Sequence, residues 1–271
     1  AGGLVWTVTY DSPAHGNDYA HAVAVDGNGD VYVAGNEDRY DLGEDFNWRV
    51  RKYTSGGGLA WEKAYDGYGM FDLAHTIAVT SGGTVSVAGH EDTPSQGRDW
   101  VLLRYDSSGN FLSSFRYNGP GNGSDDVYGI SLDASGDAVM AGYEEGLAGD
   151  FNWRIMRVPP GGSIAWKDEY SSPGGDDDIA RGAAVDRYGS ILVAGMDEGR
   201  PGPPSHSRWQ VRKYAQASCM SASVTVFPLT VSVGQSATVV LTVTNEDGAV
   251  ENLVPSMTVA PGAGLVSLAS G

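Results

Sequence analysis

The feature that most constrains this chain is a stretch of 18 residues that occurs four times. The first copy, from Asp18 to Gly35, reads DYAHAVAVDGNGDVYVAG. It returns as DLAHTIAVTSGGTVSVAG from Asp72, DDVYGISLDASGDAVMAG from Asp125 and DIARGAAVDRYGSILVAG from Asp178. The copies align without a gap and start 54, 53 and 53 residues apart. A fixed period of this length indicates a repeat architecture, in which each repeat is one structural unit.

Each repeat has the pattern of several short β-strands. In the first segment small residues (Ala20, Ala22 and Ala24) alternate with larger ones. Such a period of two is typical of a β-strand. A turn with glycine follows, then a second strand that ends in Val-Ala-Gly or its equivalent. Two further strands carry aromatic residues at fixed places, which we interpret as packing between repeats. All seven tryptophans of the chain fall on these strands: Trp6, Trp48, Trp61, Trp100, Trp153, Trp166 and Trp209.

Four strands in a repeat of this length predict the blade of a β-propeller. The fourth copy lacks a fourth strand after its third, whereas residues 2–10 (GGLVWTVTY) match the fourth strand of the first copy (GGLAWEKAY, residues 57–65). The N-terminal strand, residues 4–10, is therefore predicted to complete the last blade, and residues 1–216 to form a four-bladed β-propeller closed in this way. Two alternatives remain, a fragment of a larger ring and donation of this strand to a neighbouring molecule.

A different composition begins near residue 217, where tryptophan is absent and valine alternates with threonine. The alternation over residues 237–244 predicts strands of an Ig-like β-sandwich. Such sandwiches need about 100 residues, so residues 217–271 are predicted to be a partial Ig-like segment. A half sandwich leaves strand edges unpaired. We expect further chain, the propeller or another subunit to cover them, with self-association or an extracellular protein as the partner.

Two parts of the chain resemble known bacterial families. Over residues 4–214 they are similar to propeller repeats of the SBBP type, AxxIAVDxxGNVYVxG in general form, and to the related NHL repeats. Residues 231–235, 241–245 and 261–264 resemble the first half of the Ig-like modules associated with cell adhesion (CARDB-like). The resemblance implies a secreted or cell-surface bacterial protein with an all-β fold. It implies no particular activity, because a propeller fold does not define a function.

Charge and composition exclude some functions and leave others open. A formal charge of −17 and a pI near 4.4 argue against binding nucleic acid or an anionic membrane surface. No apolar run approaches the roughly 18 residues of a membrane span, so membrane insertion is not expected. The one cysteine, Cys219, excludes a disulfide within this sequence; it is free, paired between chains, or paired with a cysteine in further chain. An Ala-Gly-Gly start is compatible with a mature, secreted N-terminus.

Two sets of repeated carboxylates are candidate sites. Four equivalent aspartates precede the innermost strands, where they either bind Ca²⁺ at one mouth of the ring or accept backbone N–H bonds in their loops. This candidate metal set is Asp18, Asp72, Asp125 and Asp178. An acidic pair follows each second strand, forming either a network of blade-to-blade ion pairs with the basic residue of the third strand (Lys52, Arg104, Arg157, Lys213) or a cation-binding face. These pairs are Glu37/Asp38, Glu91/Asp92, Glu144/Glu145 and Asp197/Glu198.

The remaining polar residues predict no catalytic site. His21 and His75 are equivalent positions on inner strands, and their spacing is not that of a metal or catalytic pair. Sequence motifs for a nucleophile elbow, a phosphate loop or a dinucleotide site are absent. We therefore expect a non-catalytic extracellular structural or adhesive module, assembling into a filament by strand exchange through its C-terminal segment. A calcium-assisted glycan- or ligand-binding propeller is the alternative, and a glycosidase-like enzyme using paired carboxylates is the third.

Overall fold

The structure is a computed structural model that describes residues 2–43, 45–173, 175–199 and 207–215, with four short strands between residues 220 and 269. The chain divides into two units, Ala1–Tyr214 and Ala215–Gly271. Apart from a 3₁₀ turn at Tyr40–Leu42, all the described elements are β-strands, which confirms the predicted all-β class. Within these residues there is no helix with the length and hydropathy of a transmembrane span.

The first unit consists of four antiparallel meanders, one per repeat, in which each strand pairs with the next along the chain. Sheet 1 contains β1 (Tyr19–Val25), β2 (Val31–Asp38), β3 (Phe46–Tyr53) and β4 (Leu59–Tyr65). Sheet 2 contains β5 (Leu73–Val79), β6 (Val85–Thr93), β7 (Gly97–Tyr105) and β8 (Phe111–Tyr117). Sheet 3 contains β9 (Asp126–Leu132), β10 (Ala138–Glu145), β11 (Phe151–Val158) and β12 (Trp166–Tyr170). Sheet 4 has three strands among the described residues, β13 (Asp178–Val185), β14 (Ile191–Asp197) and β15 (Arg208–Tyr214).

The repeated Val-Ala-Gly glycine has a steric reason. In each sheet the pairing of the first two strands shifts by one residue, as in a β-bulge, beside this glycine. A Cβ added to Gly89 would lie 1.9 Å from the carbonyl oxygen of Leu73, and one added to Gly142 would lie 1.9 Å from that of Asp126. Only glycine fits where the two backbones approach so closely.

Consecutive sheets meet along their first strands, so β5 contacts β1, β9 contacts β5 and β13 contacts β9. The small residues predicted for these strands lie where the backbones are closest. A Cβ added to Gly129 would be 2.7 Å from the Cα of Gly182 on the next sheet. Three buried apolar clusters fill the spaces between consecutive sheets, around Trp48, Trp100 and Trp153 respectively.

The predicted clasp is wrong for this structure. Residues 4–10 form no strand and do not pair with β15, and sheet 4 therefore lacks an outer strand among the described residues. The three junctions between consecutive sheets do not place sheet 4 beside sheet 1. The side chain of Trp209 is 85 % exposed, and Val23 on β1 is 65 % exposed whereas its equivalent Ile77 is 7 % exposed. The angle at each junction, which no sequence pattern reports, decides whether four sheets close into a ring.

The second unit is described only as two short antiparallel pairs. β16 (Met220–Ser221) pairs with β17 (Thr244–Asn245), and β18 (Ser256–Val259) pairs with β19 (Val266–Ala269). The rest of the predicted Ig-like segment, including Cys219, lies outside the described residues. The Ig-like topology and the filament joint assigned to it therefore stay predictions.

Candidate functional site

The tryptophans of β3, β7 and β11 each pack against the next sheet along the chain. The rings of Trp48, Trp100 and Trp153 are fully buried, and each indole N–H donates to a backbone carbonyl of the following sheet. Trp100, for example, donates to the carbonyl of Tyr143 at 2.9 Å and lies against Gly142, where an added Cβ would be 2.9 Å from the ring. Each tryptophan therefore fills a socket on the next sheet.

Trp6 shows that the N-terminal residues mimic an outer strand that belongs to a preceding sheet. Its indole N–H donates to the carbonyl of Ser55 at 3.1 Å, and its ring lies 6.2 Å from that of Tyr53. Trp61 makes the same contacts one repeat later, to Ser107 at 3.1 Å and Tyr105 at 6.2 Å. Residues 4–10 therefore contact sheet 1 as β4 contacts sheet 2, without the three inner strands that would complete their sheet.

A groove of about 290 Å³ lies on sheet 1 beside this segment. Its lining includes Tyr10, Gly35 and Asn36. Two repeats later in the chain, the equivalent residues are Tyr117, Gly142 and Tyr143. These three residues contact Trp100. The groove, which we call the sheet 1 socket, is thus the counterpart of the sites that hold the other three tryptophans. At the opposite end of the array, Trp209 is the one tryptophan of this strand position whose ring is exposed.

The first carboxylate of each acidic pair is buried, and it bonds to a tyrosine and an arginine. Each accepts a hydrogen bond from the tyrosine that ends the preceding outer strand: Tyr10 to Glu37, Tyr65 to Glu91, Tyr117 to Glu144, and Tyr170 to Asp197. Each also pairs with an arginine of its own sheet: Arg49 with Glu37, Arg116 with Glu91, Arg154 with Glu144, and Arg208 with Asp197. Burial and the Glu37 carboxylate raise the pKa of Tyr10 to about 12.

The basic partners predicted for these carboxylates are wrong. Lys52 is opposite Tyr32 in the strand register, at the far end of the sheet from Glu37, and its ammonium lies 2.9 Å from Asp30. Antiparallel pairing places the end of one strand beside the start of the next, so the two sets lie at opposite ends. The other three residues contact groups near the same end: Arg104 the carbonyl of Val158, Arg157 the carboxylate of Asp133, and Lys213 that of Asp186.

The second carboxylates of the pairs have local partners. Asp38 accepts a hydrogen bond from the backbone N–H of Tyr40 at 3.0 Å, and Asp92 lies 3.3 Å from Arg98 Nε. Glu145 accepts from the backbone of Ser124, and Glu198 from the hydroxyl of Ser207. They lie at or next to the ends of four different second strands.

The four aspartates predicted as a metal set act instead as backbone acceptors. Each bridges two N–H groups, one from the preceding loop and one from the end of the second strand. Asp72, for instance, accepts from Gly67 at 2.7 Å and from Asp92 at 3.0 Å. Within the described residues they do not form a group of potential metal ligands. Their repeated position is explained by the loop connection that they stabilise.

Asp72 and Asp125 give the stability of the first unit a pH dependence. Burial raises the pKa of each carboxyl to about 7, against the opposing effect of two backbone N–H donors. A raised folded-state pKa stabilises the fold below the unfolded value near 4, and this contribution is lost as pH rises through about 7. We expect the free energy of unfolding to fall from pH 4.5 to pH 7, and Asp72→Asn to flatten that slope in denaturation curves. An unchanged slope would contradict the assignment.

One group of potential ligands was missed by the sequence patterns. Nε2 of His75, Nδ1 of His90 and Oδ2 of Asp126 lie 3.0 to 3.3 Å from one another. His75 and His90 come from β5 and β6 of sheet 2, and Asp126 begins β9 of sheet 3. Burial would raise the pKa of Asp126, but the two histidines outweigh it and lower that pKa to about 2. The 15-residue separation of the histidines matches no metal motif, and only the hairpin register and the sheet junction join the three.

Comparison with known proteins gives only distant structural similarity. No family model and no curated protein matches this chain. Among solved structures, it is similar to the tail fiber of Staphylococcus aureus phage P68, with 10 % sequence identity and a TM-score of 0.30. That match covers 74 % of this chain and 50 % of the tail fiber chain, so the chain spans about half of its length. Such a score defines no shared fold, and function has to be inferred from the geometry of this chain.

Proposed function

We propose that this chain is a non-catalytic structural or adhesive module of the cell surface or extracellular space, and that it associates end to end with further copies of itself. The observation that carries this proposal is the complementarity of the two ends. Sheet 4 presents an exposed Trp209 and an outer edge of β15 that pairs with no other described strand, while sheet 1 presents its socket and residues 4–10, which form no strand. Three junctions within the chain show how such surfaces fit.

The repeat equivalences define the expected interface. Trp209 of one copy enters the sheet 1 socket of the next and donates its N–H to the carbonyl of Asn36, the equivalent of His90, Tyr143 and Met196. Residues 4–10 of the second copy pair with β15 of the first. The pairing of Trp48 with Tyr65 and of Val50 with Lys63 predicts Trp209 opposite Tyr10 and Val211 opposite Val8. Burying an edge strand and a large aromatic ring favours such association.

A head-to-tail interface of this kind is heterologous, so it generates either a closed ring of copies or an open filament. A structural or adhesive role is supported because Trp48, Trp100 and Trp153 bind the next sheet rather than line a ligand site. Among the described residues, no specific observation favours the glycan-binding or the glycosidase alternative. The acidic surface suits an extracellular protein that must remain soluble.

The test is self-association in solution. We expect sedimentation velocity to show oligomers that dissociate on dilution. Trp209→Ala should weaken the association by roughly 30-fold, which corresponds to the loss of about 2 kcal/mol at an aromatic hot spot. Tyr188→Ala, at another exposed aromatic residue, is the matched control and should leave the association unchanged. A chain that is monomeric at every concentration would overturn the proposal.

Disulfide trapping distinguishes association from ring closure. In a Cys219→Ser background, Val8→Cys and Val211→Cys on separate chains should cross-link when mixed, because opposed residues in an antiparallel pair are within disulfide range. Thr7→Cys mixed with Val211→Cys, one residue out of register, should not. A cross-link that forms only when Val8→Cys and Val211→Cys are on one chain would show the closed ring and overturn end-to-end assembly.

A further inference from the structure

The distances among His75, His90 and Asp126 fit the first coordination sphere of a metal ion. Their three facing atoms are 3.0, 3.1 and 3.3 Å apart. A tetrahedral zinc ion with bonds of about 2.0 to 2.1 Å separates its ligands by roughly 3.3 Å. An ion at the centre of this triangle therefore requires shifts of only a few tenths of an ångström.

Hydrogen bonding alone leaves these groups poorly matched. Each ring nitrogen has one in-plane position, which holds either a proton or a lone pair. If both nitrogens donate to the same oxygen of Asp126, their two N–H groups converge on one atom although the nitrogens are only 3.3 Å apart. A cation in their place would accept both lone pairs and neutralise the carboxylate.

The repeat shows that the fold does not require these residues. At the position of Asp126 the other copies have Tyr19, Leu73 and Ile179, and at that of His90 they have Asn36, Tyr143 and Met196. Both Asp126 and His90 are buried, and a buried carboxylate is costly unless it is paired or coordinates a metal. Asp126 and His90 therefore depart from the repeat at one junction, where they meet His75, whose equivalent on sheet 1 is also a histidine, His21.

The surroundings of the cluster are those of a metal ligand set. The outward nitrogen of His90, Nε2, is buried without a hydrogen-bond partner and lies 3.8 Å from Oδ1 of Asp92. Metal-bound histidines usually donate their second N–H to a carboxylate, and Asp92 lies just beyond hydrogen-bond distance of this nitrogen. The ring of Phe71 stacks on His90 and that of Tyr128 flanks His75. The side chain of His75 is 17 % exposed, which leaves a path for an ion.

We propose that His75, His90 and Asp126 bind one divalent transition-metal ion, with Zn²⁺ as the probe, across the junction of sheets 2 and 3. Two imidazole nitrogens and one carboxylate oxygen favour zinc and its neighbours over Ca²⁺ and Mg²⁺, which prefer oxygen ligands. Because the ligands come from two sheets, the ion would clamp them together. This inference is independent of end-to-end association.

The experiment is calorimetric titration of the chelator-treated chain with Zn²⁺, accompanied by thermal denaturation. We expect one ion per chain, a higher Tm with Zn²⁺ and no such shift with Ca²⁺. His75→Asn and Asp126→Asn should each weaken Zn²⁺ binding by about 100-fold or more, since loss of an outer partner alone costs 10- to 100-fold. His21→Asn, at the same repeat position on sheet 1, is the matched control and should bind as the unaltered chain does.

Two outcomes would overturn the proposal. One is the absence of stoichiometric Zn²⁺ binding by the unaltered chain. The other is equal loss, or equal retention, of binding in His75→Asn and His21→Asn, which would indicate adventitious binding at surface carboxylates. Circular dichroism of the metal-free variants distinguishes a lost ligand from a lost fold. The absorption spectrum of the Co²⁺ form provides a second readout, because nitrogen ligation from histidine changes its d–d bands.

Discussion

Replacing Trp100 with alanine is expected to destabilise the first unit by about 3–5 kcal/mol, the usual cost of removing a large buried aromatic ring. The ring is fully buried between sheets 2 and 3, packs edge-on against Tyr117, and its N–H satisfies the carbonyl of Tyr143. The substitution leaves both a cavity and an unpaired buried carbonyl. Denaturation at low concentration measures the loss, and hydrogen exchange should locate it in sheets 2 and 3.

Trp209→Ala is the matched control for this prediction. It changes the same residue type at the same repeat position, but the ring of Trp209 is 85 % exposed. Surface substitutions usually change stability by less than about 0.5 kcal/mol, so the monomer should be nearly unaffected. Equal losses from Trp100→Ala and Trp209→Ala in the monomer would contradict the open array and favour intramolecular closure.

Glu144→Ala is expected to cost about 3 kcal/mol, because it leaves a buried guanidinium with only the half-exposed Glu169 as a counter-charge. Glu144 is fully buried, and the side chain of Arg154, 6 % exposed, donates to it with two nitrogens. The hydroxyl of Tyr117 also donates to this carboxylate. Chemical denaturation of the single variant measures the cost.

The double variant Glu144→Leu/Arg154→Leu tests the physical reason. Replacing both members of a buried ion pair by apolar residues of similar size is often close to neutral. We therefore expect the double variant to lose much less stability than Glu144→Ala alone. Losses that simply add would show that the two side chains stabilise the sheet through packing rather than through their pairing.

The repeat pattern predicted much of the fold because it reports properties that are local to each copy. Alternation predicted the strands, and the fixed spacing predicted one sheet per copy. The invariant glycine reflects a close backbone approach within one sheet, as Gly89 illustrates. The correspondence between residues 2–10 and 57–65 indicated equivalent contacts, and Trp6 and Trp61 do make matching contacts. What it could not indicate was whether residues 4–10 pair with another strand.

The sites were harder to predict, because they depend on register and on the junctions. Lys52 and Glu37 recur together in the repeat, yet antiparallel pairing places them at opposite ends of a sheet. His75 and His90 share no motif, and Asp126 lies in another repeat, so their meeting depends on the packing of sheets 2 and 3. At the positions of His90 and Asp126 the departure from the repeat was the only signal available.

The sequence by itself determined the all-β class, the four meanders, the positions of the packing tryptophans and the identity of the two matching ends, because each follows from periodicity within about 53 residues. Tertiary structure alone decided that the ends do not meet, that Trp209 is exposed while Trp100 is buried, and that two histidines and an aspartate converge. These outcomes depend on the angle at which one sheet packs on the next. That angle results from the summed contacts of whole interfaces, which no local pattern records.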